Sequence, residues 1–316
     1  MTYIPIQEAA ARQLIDATTI FYECVRVRSE ARHYSGGMYW KRQGAYEYLI
    51  KTAGKRQKVL GPRNAATEGI FTQFSQRKAA LQARLASLEQ ELTKAERLNK
   101  AVRVGRVPSL AVAVLQAFED AGLGEHFVVV GTHALYAYET AAGVRIAPEA
   151  LATQDVDLLW DARKRVQFLA DLQRLGASVL QILQRVDKSF ERKEPRGETA
   201  INDKGFEVDF IRPMQEGDDP HPFRFSNDEA DLWPIQAPRA SVLTRAPRFN
   251  QVVVAVTGRM ALMRTISPRS FVTFKRWMGA AVPDREPIKR QRDLRQAAIV
   301  ADLLEQGLLH DEHKVT

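Results

Sequence analysis

FVVVGTHALYAYETAAGVRIAPEALATQDVDLLW, residues 127–160, decides how the rest of the chain is read. Phe127 to Val130 is a short unbroken apolar run, and Gly131-Thr132 stops it just before a stretch of helical composition, His133 to Thr140. The pattern predicts a buried strand running into a helix N-terminus. Backbone N–H groups of a first helical turn have no intrahelical partners. A Gly that lets a ligand come close and a Thr hydroxyl beside it therefore suit a phosphate. A second apolar strand follows, and it holds Asp155 and Asp157 around Val156, continued by Leu158 and Leu159.

Residues i and i+2 of a strand share a face, so Asp155 and Asp157 point the same way while Val156 and Leu158 pack behind them. Like charges this close repel, and a cation between them or solvent around them is what stabilises the pair. Phe206-Glu207-Val208-Asp209-Phe210-Ile211 alternates apolar and acidic residues, the pattern of a half-buried strand with Glu207 and Asp209 on its polar face. Three carboxylates from two neighbouring strands, opposite a Gly-Thr turn, would hold Mg²⁺ or Mn²⁺ against a nucleoside triphosphate. A plainer reading stands beside each. The aspartates could bond loop N–H groups, Gly131-Thr132 could be a simple strand-to-helix turn, and Asp209 could pair with an arginine such as Arg212.

The order strand, Gly-Thr, helix, Asp-x-Asp strand and later single-Asp strand resembles the DNA polymerase β-like nucleotidyltransferase superfamily. GTHALYAYETAAGVR followed by TQDVDLL is similar to a bacterial branch described as nucleotidyltransferase-fold proteins, over about residues 105 to 212. The resemblance implies a mixed-sheet α/β core. It matches Gly131 and Thr132 to the phosphate-binding turn, Asp155 and Asp157 to the metal-binding pair, and Asp209 to the third carboxylate. It also implies transfer of a nucleoside monophosphate from a nucleoside triphosphate to an acceptor hydroxyl. Relatives often bring basic residues across the cleft from a helical domain, and Lys275, Lys289 and Arg292 are the candidates here. Two departures stand out: Thr132 replaces the commoner Ser, and the distance from Gly131 to Asp155 implies an inserted loop around Ala141 to Ala152. Rival readings are an inactive nucleic-acid-binding or antitoxin-like scaffold and an enzyme that nucleotidylates a protein.

Charge is placed unevenly around this centre. Residues 1–105 hold 18 Lys and Arg against 9 Asp and Glu, and the remainder 28 against 29, so the net +8 belongs to the N-terminal third. Between Arg26 and Arg63 the cations interleave with Tyr34, Tyr39, Trp40, Tyr46 and Tyr48. Such a patch fits a phosphate-rich partner, since cations neutralise its backbone while rings stack on bases. Arg42, Lys51, Lys55, Arg56, Lys58 and Arg63 are the candidate contacts to an RNA, tRNA-like in the reading that suits the resemblance. The alternative is a solvated face over a small aromatic core.

Three regions follow: a basic N-terminal region (1–105), a catalytic core (106–250) and a C-terminal helical region (251–316). Ile6 to His33 predicts a helix. Met38 to Lys41, Tyr46 to Lys51 and Lys58 to Gly61 predict a three-stranded meander, and a long helix follows Pro62. On it Leu81, Leu85, Leu88, Leu92, Ala95 and Val102, with Asn99, form a seam for an antiparallel hairpin or for a homodimer through residues 66–104. Ser109 can cap the next helix, Arg163 to Leu175 predicts another, and Ser178 to Leu183 predicts a strand. Glu191 to Glu198 reads as an exposed turn. Val252 to Val256 reads as a last strand or edge before Arg259 to Thr265. Ser267-Pro268 then caps a helix carrying Phe271, Phe274 and Lys275. Pro287 opens the final helix, where Lys289, Arg292, Asp293 and Gln296 make a polar stripe and Leu294, Ala298, Leu304 and Leu308 are assigned to the core. His310 and His313 read as solvated. One cysteine, Cys24, excludes an internal disulfide framework, and with no signal-like start and no long apolar span the chain is expected in the cytoplasm, off the membrane.

Overall fold

The computed structural model describes residues 2–53, 56–218, 220–283 and 285–311. Lys55 and His313 lie outside them. The chain forms two compact units, residues 12–102 on one hand and the described parts of 1–11 and 103–316 on the other.

The chain opens with β1 (Tyr3–Pro5) and α1 (Glu8–His33). The three expected strands follow as an antiparallel sheet, β2 (Gly37–Gln43), β3 (Tyr46–Ala53) and β4 (Arg56–Pro62), with β3 in the centre. Then comes α2 (Ala65–Ala101). Asn64 starts it with a reciprocal cap: its side-chain oxygen accepts from Thr67 N–H at 2.9 Å while its own N–H donates to the Thr67 hydroxyl at 2.9 Å. A cap of this kind is worth about 1 kcal/mol. Leu81 and Leu88 of the α2 seam are buried against Cys24 and Val27 of α1. Gln13 of α1 donates to Asn99 at 3.0 Å, which satisfies the one polar group in the seam. The antiparallel hairpin is thus the reading formed within the chain.

The larger unit continues through α3 (Ser109–Asp120), β5 (Phe127–Val130), α4 (Ala134–Ala142), β6 (Val144–Ile146), α5 (Pro148–Leu151) and β7 (Asp155–Trp160). Next are α6 (Arg165–Leu175), α7 (Val179–Val186), β8 (Glu191–Arg192), β9 (Thr199–Ile201) and β10 (Glu207–Arg212). It closes with β11 (Ile235–Gln236), α8 (Ala240–Arg245), β12 (Arg248–Val254), β13 (Met260–Ile266), α9 (Pro268–Ala281) and α10 (Pro287–Glu305).

Six strands make a mixed sheet in the order β5-β7-β10-β9-β8, with β11 also on β10. β10 runs parallel to β7 and β11 and antiparallel to β9, and β5 runs antiparallel to β7. All four residues of β5 are buried, as an unbroken apolar run requires of a strand covered on both faces. Phe118, Phe127, Phe168, Phe210 and Phe225 pack edge-on behind the sheet with ring centroids about 5–6 Å apart, and Trp160 joins them fully buried. Each such side chain contributes on the order of 2 kcal/mol of apolar burial. β12 and β13 form a separate hairpin, and the Thr265 hydroxyl of β13 donates to Val129 O of β5 at 2.7 Å.

Several expectations need correction. Residues 179–186 are helix α7, not a strand. Ser178 and Gln181 form a capping box, and Val179, Leu180, Ile182 and Leu183 are buried at helical spacing. Pro108, not Ser109, occupies the N-cap of α3, without a side-chain bond. The segment from 141 to 152 is not a plain loop. It carries β6, which pairs antiparallel with β1, and the single turn α5. Within 191–198 the first two residues belong to β8. On α10 the inward face is Asp293, Gln296, Ala297, Ile299, Val300 and Leu303, while Leu294, Ala298 and Leu308 are exposed. The expected polar stripe is therefore partly inside the protein, for reasons that belong to the site.

Candidate metal centre

Sheet register sets the acidic cluster. In the β7–β10 pairing Asp157 stands opposite Asp209 and Asp155 opposite Glu207, and across the other edge Asp157 stands opposite Val130 of β5. One carboxylate oxygen from each of Asp155, Asp157 and Asp209 lies within 4.8 Å of the other two, a separation a single divalent cation can bridge. Glu207 is drawn aside, its Oε1 accepting from Lys193 Nζ at 2.6 Å.

Hydrogen bonds orient two of the three. The Thr199 hydroxyl on β9 donates to Asp209 Oδ1 at 2.6 Å, and the Thr153 hydroxyl donates to Asp155 Oδ1. Burial pushes the Asp157 carboxyl up to about 7, and the charges of Asp155 and Asp209 push the same way, against the opposing pull of Lys275 and Arg292. Asp209 is also raised, chiefly by burial, with the Thr199 bond opposing. Such a cluster is poorly stabilised as three anions and accepts a cation readily. The donor set, all hard carboxylate oxygen, fits Mg²⁺ or Mn²⁺ better than a soft or imidazole-seeking metal.

The turn after β5 touches this cluster. Gly131 has φ +68°, a conformation that costs an L side chain, and a Cβ there would run into the Asp157 carboxylate. Thr132 is buried and accepts from Gln296 Nε2 at 3.2 Å. Gln296 also donates to Ala150 O at 2.7 Å, tying α10 to the turn and to α5. Next to Thr132, burial lowers the His133 imidazole to about 4, against the opposing charge of Asp155.

α9 and α10 add the cations. Lys275 on α9 is buried and donates to Asp293 Oδ1 at 2.7 Å, and Arg285 Nε donates to Asp293 Oδ2 at 2.5 Å. Burial lowers the Lys275 pKa, with Asp293 and, further off, Asp157 opposing. Gly279 lets the helices pack closely, since a Cβ there would meet the Leu294 side chain. Arg292 lies where its charge acts on both Asp157 and Lys275. Lys289 is not brought in: it is exposed and pairs with Glu286 at 3.3 Å.

Of the expected residues, then, Asp155, Asp157, Asp209, Gly131, Thr132, Lys275 and Arg292 converge. Asp293, Gln296 and Thr199 were not expected at the site. The first two were visible as polar residues at helical spacing, and only the burial of that face separates a site from a solvated stripe. Thr199 lies on a three-residue strand with no signal of its own.

The basic candidates of the smaller unit are placed on its sheet. Arg42, Arg56 and Lys58 are exposed. The Lys51 ammonium sits 5.6 Å from the Phe74 ring centroid. Arg63 pairs with Glu47 at 2.7 Å and Glu68 at 2.8 Å and lies over Trp40. Among the described residues no helix is long and apolar enough to cross a membrane.

A mixed sheet presenting paired aspartates on one strand and a third on its parallel neighbour, beside a glycine turn into a helix, defines the nucleotidyl-transferring class. Residues 109–315 match a family model described as Nucleotidyltransferase, and the chain belongs to that family, within the DNA polymerase β-like superfamily. No curated protein and no solved structure matches it.

Proposed function

We propose that this chain transfers a nucleoside monophosphate from a nucleoside triphosphate to an acceptor hydroxyl. The observation that carries the reading is the convergence of Asp155, Asp157 and Asp209 within 4.8 Å beside the Gly131 turn, in a chain of this family. Divalent cations held by these three residues would neutralise phosphate charge and lower the pKa of a bound hydroxyl. The protein's own groups do the rest. Gly131 and Thr132 open a turn whose backbone N–H groups face the phosphates. Lys275 and Arg292 supply positive charge to the β- and γ-phosphates from the side of α9 and α10. Asp209, made less acidic by burial and oriented by Thr199, would accept the proton of the attacking hydroxyl.

RNA is the acceptor class favoured by the basic surplus of residues 1–105. The experiment incubates purified protein with each α-labelled triphosphate, Mg²⁺ or Mn²⁺ and separate RNA and protein fractions, alongside Asp155→Ala/Asp157→Ala. Label entering RNA in an aspartate-dependent way is expected. Label entering protein instead would replace the acceptor and keep the chemistry.

A further inference from the structure

The sheet of the smaller unit has two unlike faces, and the strand register separates them. One face carries Trp40, Lys51 and Glu47 and packs on α2: Trp40 lies against Phe71 with centroids 5.8 Å apart, Lys51 against Phe74, and Glu47 pairs with Arg63. The other face carries Tyr39, Lys41 and Gln43 of β2, cross-paired with Ile50, Tyr48 and Tyr46 of β3, and then Val59 of β4. On this outer face Tyr46 is 66% exposed, Tyr39 39% and Val59 57%, while Ile50 beneath them is buried. Three tyrosines and a lysine on an open sheet face are not explained by the core of the unit.

We infer that this outer face is a stacking platform for single-stranded RNA, with Tyr39, Tyr46 and Tyr48 receiving bases and Lys41, in register with Tyr48, receiving phosphate. Charge is complementary. Residues 37–63 contain seven Lys and Arg and one acid, Glu47, which Arg63 holds on the opposite face. The outer face therefore presents no carboxylate to repel a phosphate backbone. Lys41 is exposed on this face, whereas Arg42 and Lys58 stand in register with Glu47 and Lys51 on the inner face, and Arg56, two residues before Lys58, shares it.

Ring placement is complementary as well. Tyr46 and Tyr48 are two apart on one strand, and Tyr39 is diagonal to Tyr48 across the pair, which spaces successive rings roughly 7 Å apart. Unstacked bases of a splayed single strand meet such rings face-on, whereas a duplex keeps its bases inside. The tyrosine hydroxyls add a donor and acceptor within reach of a 2′-hydroxyl, the group that distinguishes RNA from DNA. Arg42, Lys51, Arg56 and Lys58, basic residues expected from the sequence, fall by register on the other face. Lys51 and Arg63 are occupied on the inner face, and the sequence reading missed Lys41 because it lacked the register.

The test is fluorescence anisotropy of a labelled single-stranded RNA with the full chain, without triphosphate or divalent ion, against DNA of the same sequence and an RNA duplex. Wild type is expected to bind the single-stranded RNA in preference to both, with affinity falling as salt rises. Tyr39→Ala and Tyr46→Ala each lower it about tenfold or more, whereas Tyr46→Phe retains the stacking and narrows the preference for RNA over DNA. Both tyrosines are exposed, so circular dichroism should show the unit intact. Equal binding of DNA or duplex, no binding at low salt, or unchanged affinity in the two alanine variants overturns the assignment. Because nucleotide is absent, such a failure is separate from failure of the transferase reading, on which only the acceptor role of the bound RNA rests.

Discussion

Gly131 leaves open the space beside it that the Asp157 carboxylate fills. The φ of +68° that the turn requires and the close approach of that carboxylate both call for glycine. Gly131→Ala would pay the left-handed penalty of about 1–2 kcal/mol and displace Asp157 as well. The expected outcome is a folded protein, by circular dichroism, whose nucleotide transfer drops at least as far as that of Asp157→Asn. Normal transfer by Gly131→Ala would show that the turn does not support the site.

Asp157 makes metal-free stability depend on pH. Its folded pKa of about 7 lies above the ordinary 3.8, so between those values the folded state holds more proton than the unfolded state, and stability falls as pH rises through the interval. Asp157→Asn carries no charge at any of these pH values. The variant is expected to melt higher than wild type at about pH 8 and to converge with it near about pH 4, and the difference between the two melting curves isolates this group. Added Mg²⁺ or Mn²⁺ should raise the wild-type Tm at the higher pH and leave that of the variant nearly unchanged. A constant difference across the range would remove Asp157 as the source.

Asp293 holds two cations in a fully buried position, and Lys275 is one of them. Asp293→Ala strands both and is expected to cost about 3–5 kcal/mol in denaturant unfolding. Lys275→Met leaves Asp293 its pair with Arg285, so the fold should persist while transfer falls about 10- to 100-fold. Steady-state kinetics on Lys275→Met separate the cases: unchanged kcat and KM would make Lys275 a structural residue only.

Ser178 tests the helix that replaced a strand. Its hydroxyl and Gln181 cap the first turn of α7 reciprocally. Ser178→Ala is expected to cost about 1 kcal/mol, read as a shifted urea midpoint with unchanged slope. No shift would mean that burial of Leu180, Ile182 and Leu183 alone sets the helix.

What the sequence made legible was local and periodic. The FVVV strand, the Asp-x-Asp strand, the alternation around Asp209, the meander, the α2 seam and the Ser267-Pro268 start each follow from spacing within a few residues, and each forms. α7 was misread because Val-Leu-x-Ile-Leu over so short a run fits a buried strand as well as one helical face. The pairing of β1 with β6 joins residues more than a hundred apart, and no local pattern announces it. The buried half of the α10 stripe was hidden for another reason. Polar residues at helical spacing face water unless partners meet them, and those partners, Lys275 and Thr132, are distant in sequence.

The central claim is that Asp155, Asp157 and Asp209 serve nucleotidyl transfer, and release of pyrophosphate tests it most directly. Purified protein is supplied with each triphosphate, Mg²⁺ or Mn²⁺ and combined cellular RNA and protein as acceptors, and phosphate products are resolved. Pyrophosphate is expected with at least one triphosphate, and Asp157→Asn should lower it by orders of magnitude while remaining folded. Orthophosphate in its place, or pyrophosphate release that Asp157→Asn leaves intact, would contradict the assignment.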